Sequence, residues 1–139
     1  MVDVNTTVER FLQERPTATL GTIRQDGSPQ ASVVWYLWDQ GEFVISTIPT
    51  TAKWHNLKRD PRCSLCIEDP DSGQMVIAYG SARLDDSDVE PRTRDIVDRY
   101  YDDPADTDAH VERIFATGDR VLIFVRPNRL LTRKLQIGG

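Results

Sequence analysis

The segment Thr47-Ile48-Pro49-Thr50-Thr51-Ala52-Lys53-Trp54-His55-Asn56-Leu57-Lys58-Arg59-Asp60-Pro61 carries the decisive pattern of this chain. It follows an apolar, strand-like run, Glu42-Phe43-Val44-Ile45-Ser46, and opens an amphipathic helix that Pro61 closes. Hydroxylated residues therefore stand at a helix N-terminus, with a lysine in the first turn. Free backbone N–H groups and the positive end of the helix dipole make such a place attractive to an anion. Lysine adds a compact point charge suited to phosphate.

Upstream, Ala18 to Arg24 and Gln30 to Trp38 read as strands joined by Gln25-Asp26-Gly27-Ser28, an Asp-Gly hairpin turn. Asp39-Gln40-Gly41 turns the chain into a third strand, Glu42 to Thr47. A first helix is expected from a capping box at Thr6-Thr7-Val8-Glu9, with Val8, Phe11 and Leu12 on its apolar face and its end near Pro16. Downstream, Arg62 to Glu68 and Gln74 to Leu84 form a second hairpin across Asp69-Pro70-Asp71-Ser72-Gly73. Asp85-Asp86-Ser87-Asp88 can cap a helix from about Val89 to Tyr101. Asp102 to Asp108 reads as a polar loop, Ala109 to Ala116 as a helix, Arg120 to Val125 as a strongly apolar strand and Arg129 to Ile137 as a last one. The expectation is a mainly β, α+β fold of six or seven mostly antiparallel strands with three or four short helices. Strands do not alternate with long helices, so a doubly wound sheet is disfavoured, and short strands joined by tight turns favour a small barrel.

Composition bounds the function. A chain of 139 residues, 39% hydrophobic and 28% charged, suits one soluble domain over 1–139. No apolar run approaches the roughly 20 residues that span a bilayer, and Met1-Val2-Asp3-Val4-Asn5 lacks the basic start and apolar core of a signal peptide. The net charge of −5 argues against general nucleic-acid binding. No membrane partner and a cytoplasmic location are expected. Cys63-Ser64-Leu65-Cys66 has the spacing of a redox or zinc motif. On a strand, however, residues three apart face opposite sides, and no second cysteine pair exists to complete a zinc site. Both thiols are therefore expected to be structural, with no metal bound.

The strand, Asp26-Gly27-Ser28-Pro29, the returning strand, then Ala52-Lys53-x-x-Asn56-Leu57 and Arg59-Asp60-Pro61-Arg62 together resemble the pyridoxamine 5′-phosphate oxidase-like split-barrel family. Within it the chain is similar to the small flavin/deazaflavin-dependent oxidoreductases that use coenzyme F420. The resemblance implies an FMN-binding type of split β-barrel and a homodimer with cofactor grooves at the interface. It implies that Lys53 holds the cofactor phosphate, that Ser46 and Thr47 line the same pocket with Thr51 and Ala52 beside them, and that Gln30, Ser32, Val33, Val34 and Trp35 run beside the ring system. Asn56 lies on the Lys53 face of its helix and belongs to the same candidate set. Relatives often carry an arginine two residues before the lysine, where this chain has Thr51, which leaves this helix end one positive charge poorer. Lys58, Arg59 and Arg62 form a basic edge that would attract the polyglutamate tail of coenzyme F420.

No residue set for nucleophilic, acid–base or metal catalysis is visible: no G-x-S-x-G, no ligand cluster and no P-loop. That fits a protein whose cofactor carries the chemistry. The expected activity is hydride transfer from reduced coenzyme F420 to an electron-poor small-molecule acceptor. The alternatives are an FMN-dependent oxidase or reductase, and a flavin- or haem-binding protein without turnover.

Overall fold

The Asp-Gly turn sets the first register. Gly27 has φ +87°, a left-handed conformation that glycine adopts at little cost, and the Asp26 carboxylate accepts the Ser28 N–H at 2.9 Å. The turn folds β1 (Ala18–Ile23) antiparallel onto β2 (Pro29–Val34), Ala18 opposite Val34. The computed structural model describes residues 4–135. They form α1 (Thr6–Glu14), β1, β2, β3 (Leu37–Asp39), β4 (Glu42–Thr47), α2 (Ala52–Arg59), β5 (Arg62–Asp69), β6 (Gln74–Asp85), α3 (Val89–Asp98), α4 (Pro104–Ala116) and β7 (Val121–Arg133). The seven strands make one antiparallel sheet in the order β2-β1-β5-β6-β7-β4-β3, which with four helices is the expected α+β split barrel.

Both edges of the split lie in what reads as one strand, Gln30 to Trp38. The ladder stops at Val34 and resumes at Leu37, with β2 on one edge and β3 on the other. Trp35-Tyr36 bridges the gap, and side chains replace the missing ladder partners. Tyr36 N–H donates to the Tyr100 hydroxyl at 3.1 Å, and the Arg99 guanidinium donates to Tyr36 C=O. Buried backbone groups must be paired, so this break is possible only where the turn after α3 delivers those side chains. Arg99 also donates to Gln13 C=O and Arg15 C=O at 2.7 and 2.8 Å, fixing the end of α3 to the end of α1.

Two cores explain the burial pattern. Leu20, Tyr36, Phe43, Ile45, Leu65, Ile67, Val76 and Ile123 fill the barrel interior, closed at one end by α1 through Phe11 and Leu12. Val44, Leu122 and Phe124 face outward and are covered by Ile96 of α3. Because β7 is covered on both faces there, Val121-Leu122-Ile123-Phe124-Val125 is uniformly apolar rather than alternating.

The structure corrects four local expectations. The N-cap of α1 is Asn5, whose side chain accepts Val8 N–H at 2.9 Å; Glu9 instead accepts the Trp38 indole N–H at 3.2 Å. Helix α3 ends at Asp98, short of Tyr101. The stretch from Pro104 to Asp108 is helical, not loop: Asp103 caps α4 through Ala105 N–H, and Pro104 takes the first-turn place that proline favours. The two final strands are one, β7, with a register shift opposite Tyr79/Gly80 that takes up Pro127 and Asn128. A bulge tolerates a residue without an N–H, and a Cβ on Gly80 would stand 2.6 Å from Arg126 C=O, so only glycine fits the crossing. Ile137 lies outside the described residues, as do Met1, Val2 and Asp3.

Cys63 and Cys66 are both free. They sit on opposite faces of β5, Cys63 packed against the barrel core. Burial pushes the Cys63 thiol up to about 12, and burial with the nearby Glu68 raises that of Cys66. Three strand residues span about 10 Å, beyond disulfide reach. Iodoacetamide at pH 8 should therefore label Cys63 only after unfolding, and mass spectrometry should find no intramolecular disulfide. Fast labelling of native Cys63, or that disulfide, would contradict the assignment.

Candidate functional site

A cavity of about 290 Å³ lies where the end of β4, the start of α2, the end of β2 and the inner faces of α3 and α4 meet. Val33, Val34, Trp35, Ile96, Val97 and Ile114 give it apolar walls, and Ser46, Thr47, Lys53, Thr93, His110 and Arg120 give it polar groups. Its chemistry follows from how α2 begins. Thr51, the N-cap, does not turn its hydroxyl onto the helix N–H groups. That hydroxyl donates to Ile48 C=O at 3.1 Å and lies 3.2 Å from the Thr47 hydroxyl, which is then the donor of the pair. The first-turn N–H groups keep their capacity for an external acceptor.

The polar end holds cations without anions. Lys53 and Arg120 are each about half-buried, no carboxylate lines the cavity, and among the described residues neither forms an ion pair. Burial, and then the Arg120 charge, hold the Lys53 ammonium below the ordinary lysine range; burial alone lowers Arg120. Arg120 donates through Nε to Ser46 Oγ at 2.9 Å and through Nη2 to Ser46 C=O at 3.1 Å. Thr93, itself 1% exposed, donates its hydroxyl to the same Ser46 Oγ at 2.8 Å. Ser46 Oγ thus accepts twice, and its own hydrogen has no acceptor among the described residues. Buried charge is costly unless compensated. An ammonium, a guanidinium, a spare hydroxyl hydrogen and a helix N-terminus, all donors, fit a phosphate-bearing cofactor.

Of the residues expected at the site, Val33, Val34, Trp35, Ser46, Thr47 and Lys53 line this cavity, and Thr51 stands behind Thr47. Ala52 is exposed at the first position of α2. Gln30, Ser32 and Asn56 do not line the cavity. Asn56 donates to Thr22 Oγ1 at 3.1 Å, Thr22 donates to Gln30 Oε1 at 2.8 Å, and Arg59 donates to Asn56 Oδ1 at 3.2 Å. This chain of bonds ties α2 to β1 and β2, so Asn56 and Gln30 set the height of the helix that carries Lys53. Ser32 Oγ is buried with no partner among the described residues. The basic edge is mostly spent on the protein itself. Arg62 is paired with Asp60 at 2.7 Å, which holds that carboxyl down to about 2 chiefly through its side-chain bond, and Arg59 donates to Ile23 C=O at 2.6 Å. Lys58 remains exposed beside the Trp54 ring, and none of the three lines the cavity.

Sequence reasoning missed Arg120, Thr93 and His110. Trp35 stacks on Tyr100 with ring centres 3.9 Å apart and planes 12° from parallel, and His110 lies 5.1 Å from it. His110 Nδ1 is engaged by the Tyr101 hydroxyl at 2.9 Å and by Arg113 at 3.2 Å. Burial, then Arg113 and Arg120, lower its pKa, which favours the neutral ring near pH 7. His55 is exposed on α2.

A family model described as pyridoxamine 5′-phosphate oxidase matches residues 4–133. Among solved structures, one named an F420 reductase is 25% identical with a TM-score of 0.74, covering 92% of this chain and 98% of its own. A conserved hypothetical protein from Mycobacterium tuberculosis is 25% identical at TM-score 0.78, covering 100% of this chain and 94% of its own. HutZ, the heme storage protein from Vibrio cholerae, shares the fold at 17% identity and TM-score 0.72, covering 96% and 97%.

Proposed function

The chain belongs to the pyridoxamine 5′-phosphate oxidase family, and from that premise we propose that it is a cytoplasmic oxidoreductase that binds reduced coenzyme F420 in the Lys53 cavity and reduces an electron-poor small molecule. The observation that carries this reading is the pairing of an apolar wall, Val33-Val34-Trp35, with an acid-free cationic end at Lys53 and Arg120. A ring system with a phosphate at the far end of a polyol needs both. The similarity to a protein named an F420 reductase supports the deazaflavin reading among such cofactors.

When bound, the reduced ring supplies the hydride, and the protein supplies position. Lys53, the first-turn N–H groups of α2 and the Ser46 hydroxyl hold the phosphate. Trp35, locked on Tyr100, and the two valines orient the ring and exclude water from one of its faces. The cavity of one chain stands at the lower end of the roughly 300–1,000 Å³ typical of ligand sites, and Val33 at its mouth is 71% exposed. A second copy completes the site in this reading, as an isologous homodimer.

A second reading, FMN, has its own support: two unpaired cations match the dianionic phosphomonoester of FMN, whereas the phosphate of coenzyme F420 is a singly charged diester. Fluorescence titration with both cofactors at one ionic strength separates them. Coenzyme F420 should bind more tightly; equal or tighter binding of FMN would overturn the deazaflavin assignment in favour of the second reading.

A further inference from the structure

We propose that Arg120 is the second phosphate-binding residue of this site, placed there by Ser46 and Thr93, and that it supplies the charge that Thr51 leaves out of the α2 terminus. The inference rests on the cofactor reading above and adds to it a residue from the far end of the chain. Arg120 precedes β7, whose Val121 pairs with Thr47 at the end of β4, so strand pairing itself brings the guanidinium to the β4–α2 corner. There Ser46 takes two of its N–H groups, through Nε and Nη2. The remaining N–H groups find no acceptor among the described residues, in a cavity without a carboxylate. A guanidinium held by one edge and unspent on the other is poised for an external anion, and its fork geometry suits phosphate.

Thr93 has a positioning role. Its donated hydrogen occupies one lone pair of Ser46 Oγ and Arg120 Nε the other. The Ser46 hydrogen must then turn to a third acceptor, and the cavity offers none from the protein. Bonding therefore runs from α3 through Ser46 to Arg120, giving Lys53, Arg120 and the Ser46 hydroxyl one shared anion.

The test compares ligands with and without the phosphate: FMN and riboflavin differ by that group alone, and the coenzyme F420 pair, which differs also by the tail beyond the phosphate, is read against them. Coenzyme F420 and its phosphate-free ribityl deazaflavin fragment, and likewise FMN and riboflavin, are titrated against the parent, Arg120→Gln, Arg120→Lys and the double variant Arg120→Gln/Thr51→Arg. The parent should prefer the phosphorylated member of a pair. Arg120→Gln should weaken that member by at least about tenfold, the scale of one charge-assisted hydrogen bond, with the phosphate-free member unchanged. Arg120→Lys and the added Thr51→Arg should restore much of the loss. Arg120→Gln that keeps the full preference for phosphate overturns this inference and leaves the Lys53 site standing. Equal weakening of both members makes Arg120 merely structural and overturns it too. A parent with no preference for phosphate overturns the inference together with the cofactor reading beneath it.

Discussion

Lys53→Ala should raise the cofactor dissociation constant by about 10- to 100-fold, the equivalent of the roughly 1.5–3 kcal/mol of a hydrogen bond to a charged group. The lysine stands in the first turn of α2, half-buried and without an acid, so its charge has no work to do inside the protein. Removing it relieves repulsion with Arg120, and the fold should be as stable as the parent or slightly more so. Lys58→Ala, outside the cavity, should change affinity far less. The pH dependence follows in sign. Burial and Arg120 lower the Lys53 pKa, and the lysine is a cation only below it. Affinity should therefore fall as the pH climbs toward that lowered value, earlier than for an ordinary lysine, and the fall should vanish in Lys53→Ala. Fluorescence titration across pH, with melting curves on the same samples, checks all four points; a folded Lys53→Ala with parental affinity would remove the phosphate assignment.

Tyr36→Ala should cost about 3–5 kcal/mol, the range for deleting a buried aromatic side chain. The ring is fully buried and packs edge-on against Phe43, with Arg99 over its face. Its hydroxyl donates to Leu12 C=O at 2.6 Å, joining α1 to the bridge between the two sheet edges. At roughly 2–4 °C per kcal/mol for a domain near this size, the melting temperature should drop by about 10 °C. Tyr36→Phe keeps the ring and loses one buried hydrogen bond, so about 1 kcal/mol is expected. A Tyr36→Ala protein that melts within a degree or two of the parent would contradict this account of the split.

The residues themselves show why part of this was legible in the sequence. Local chemistry wrote the Asp26-Gly27 turn, the Pro61 stop and the Thr47–Lys53 corner, and each stands where its chemistry puts it. Period-two alternation puts Tyr36 and Trp38 on one face and Trp35 on the other, and the structure makes the first face the barrel interior, although the strand itself breaks between Val34 and Leu37. The break is a property of barrel closure, supplied by Arg99 and Tyr100 from the turn that follows the distant helix α3, and no local pattern announces it. The start of α4 was readable, because Asp103-Pro104 is a cap followed by a first-turn proline. The Pro127 bulge was obscured because proline ordinarily ends a strand. Arg120 had no signal at all: it is a lone arginine before an apolar strand, and only the β4–β7 pairing gives it a neighbour in Lys53. Asn56 shares the Lys53 face of the helix by periodicity, yet Thr22 claims its side chain.

The most direct test is a crystal structure of the protein grown with coenzyme F420. The phosphate should lie within hydrogen-bond distance of Lys53 Nζ and Arg120, with the deazaflavin ring against Val33, Val34 and Trp35. A cofactor bound elsewhere, or one whose phosphate contacts neither cation, would contradict the account.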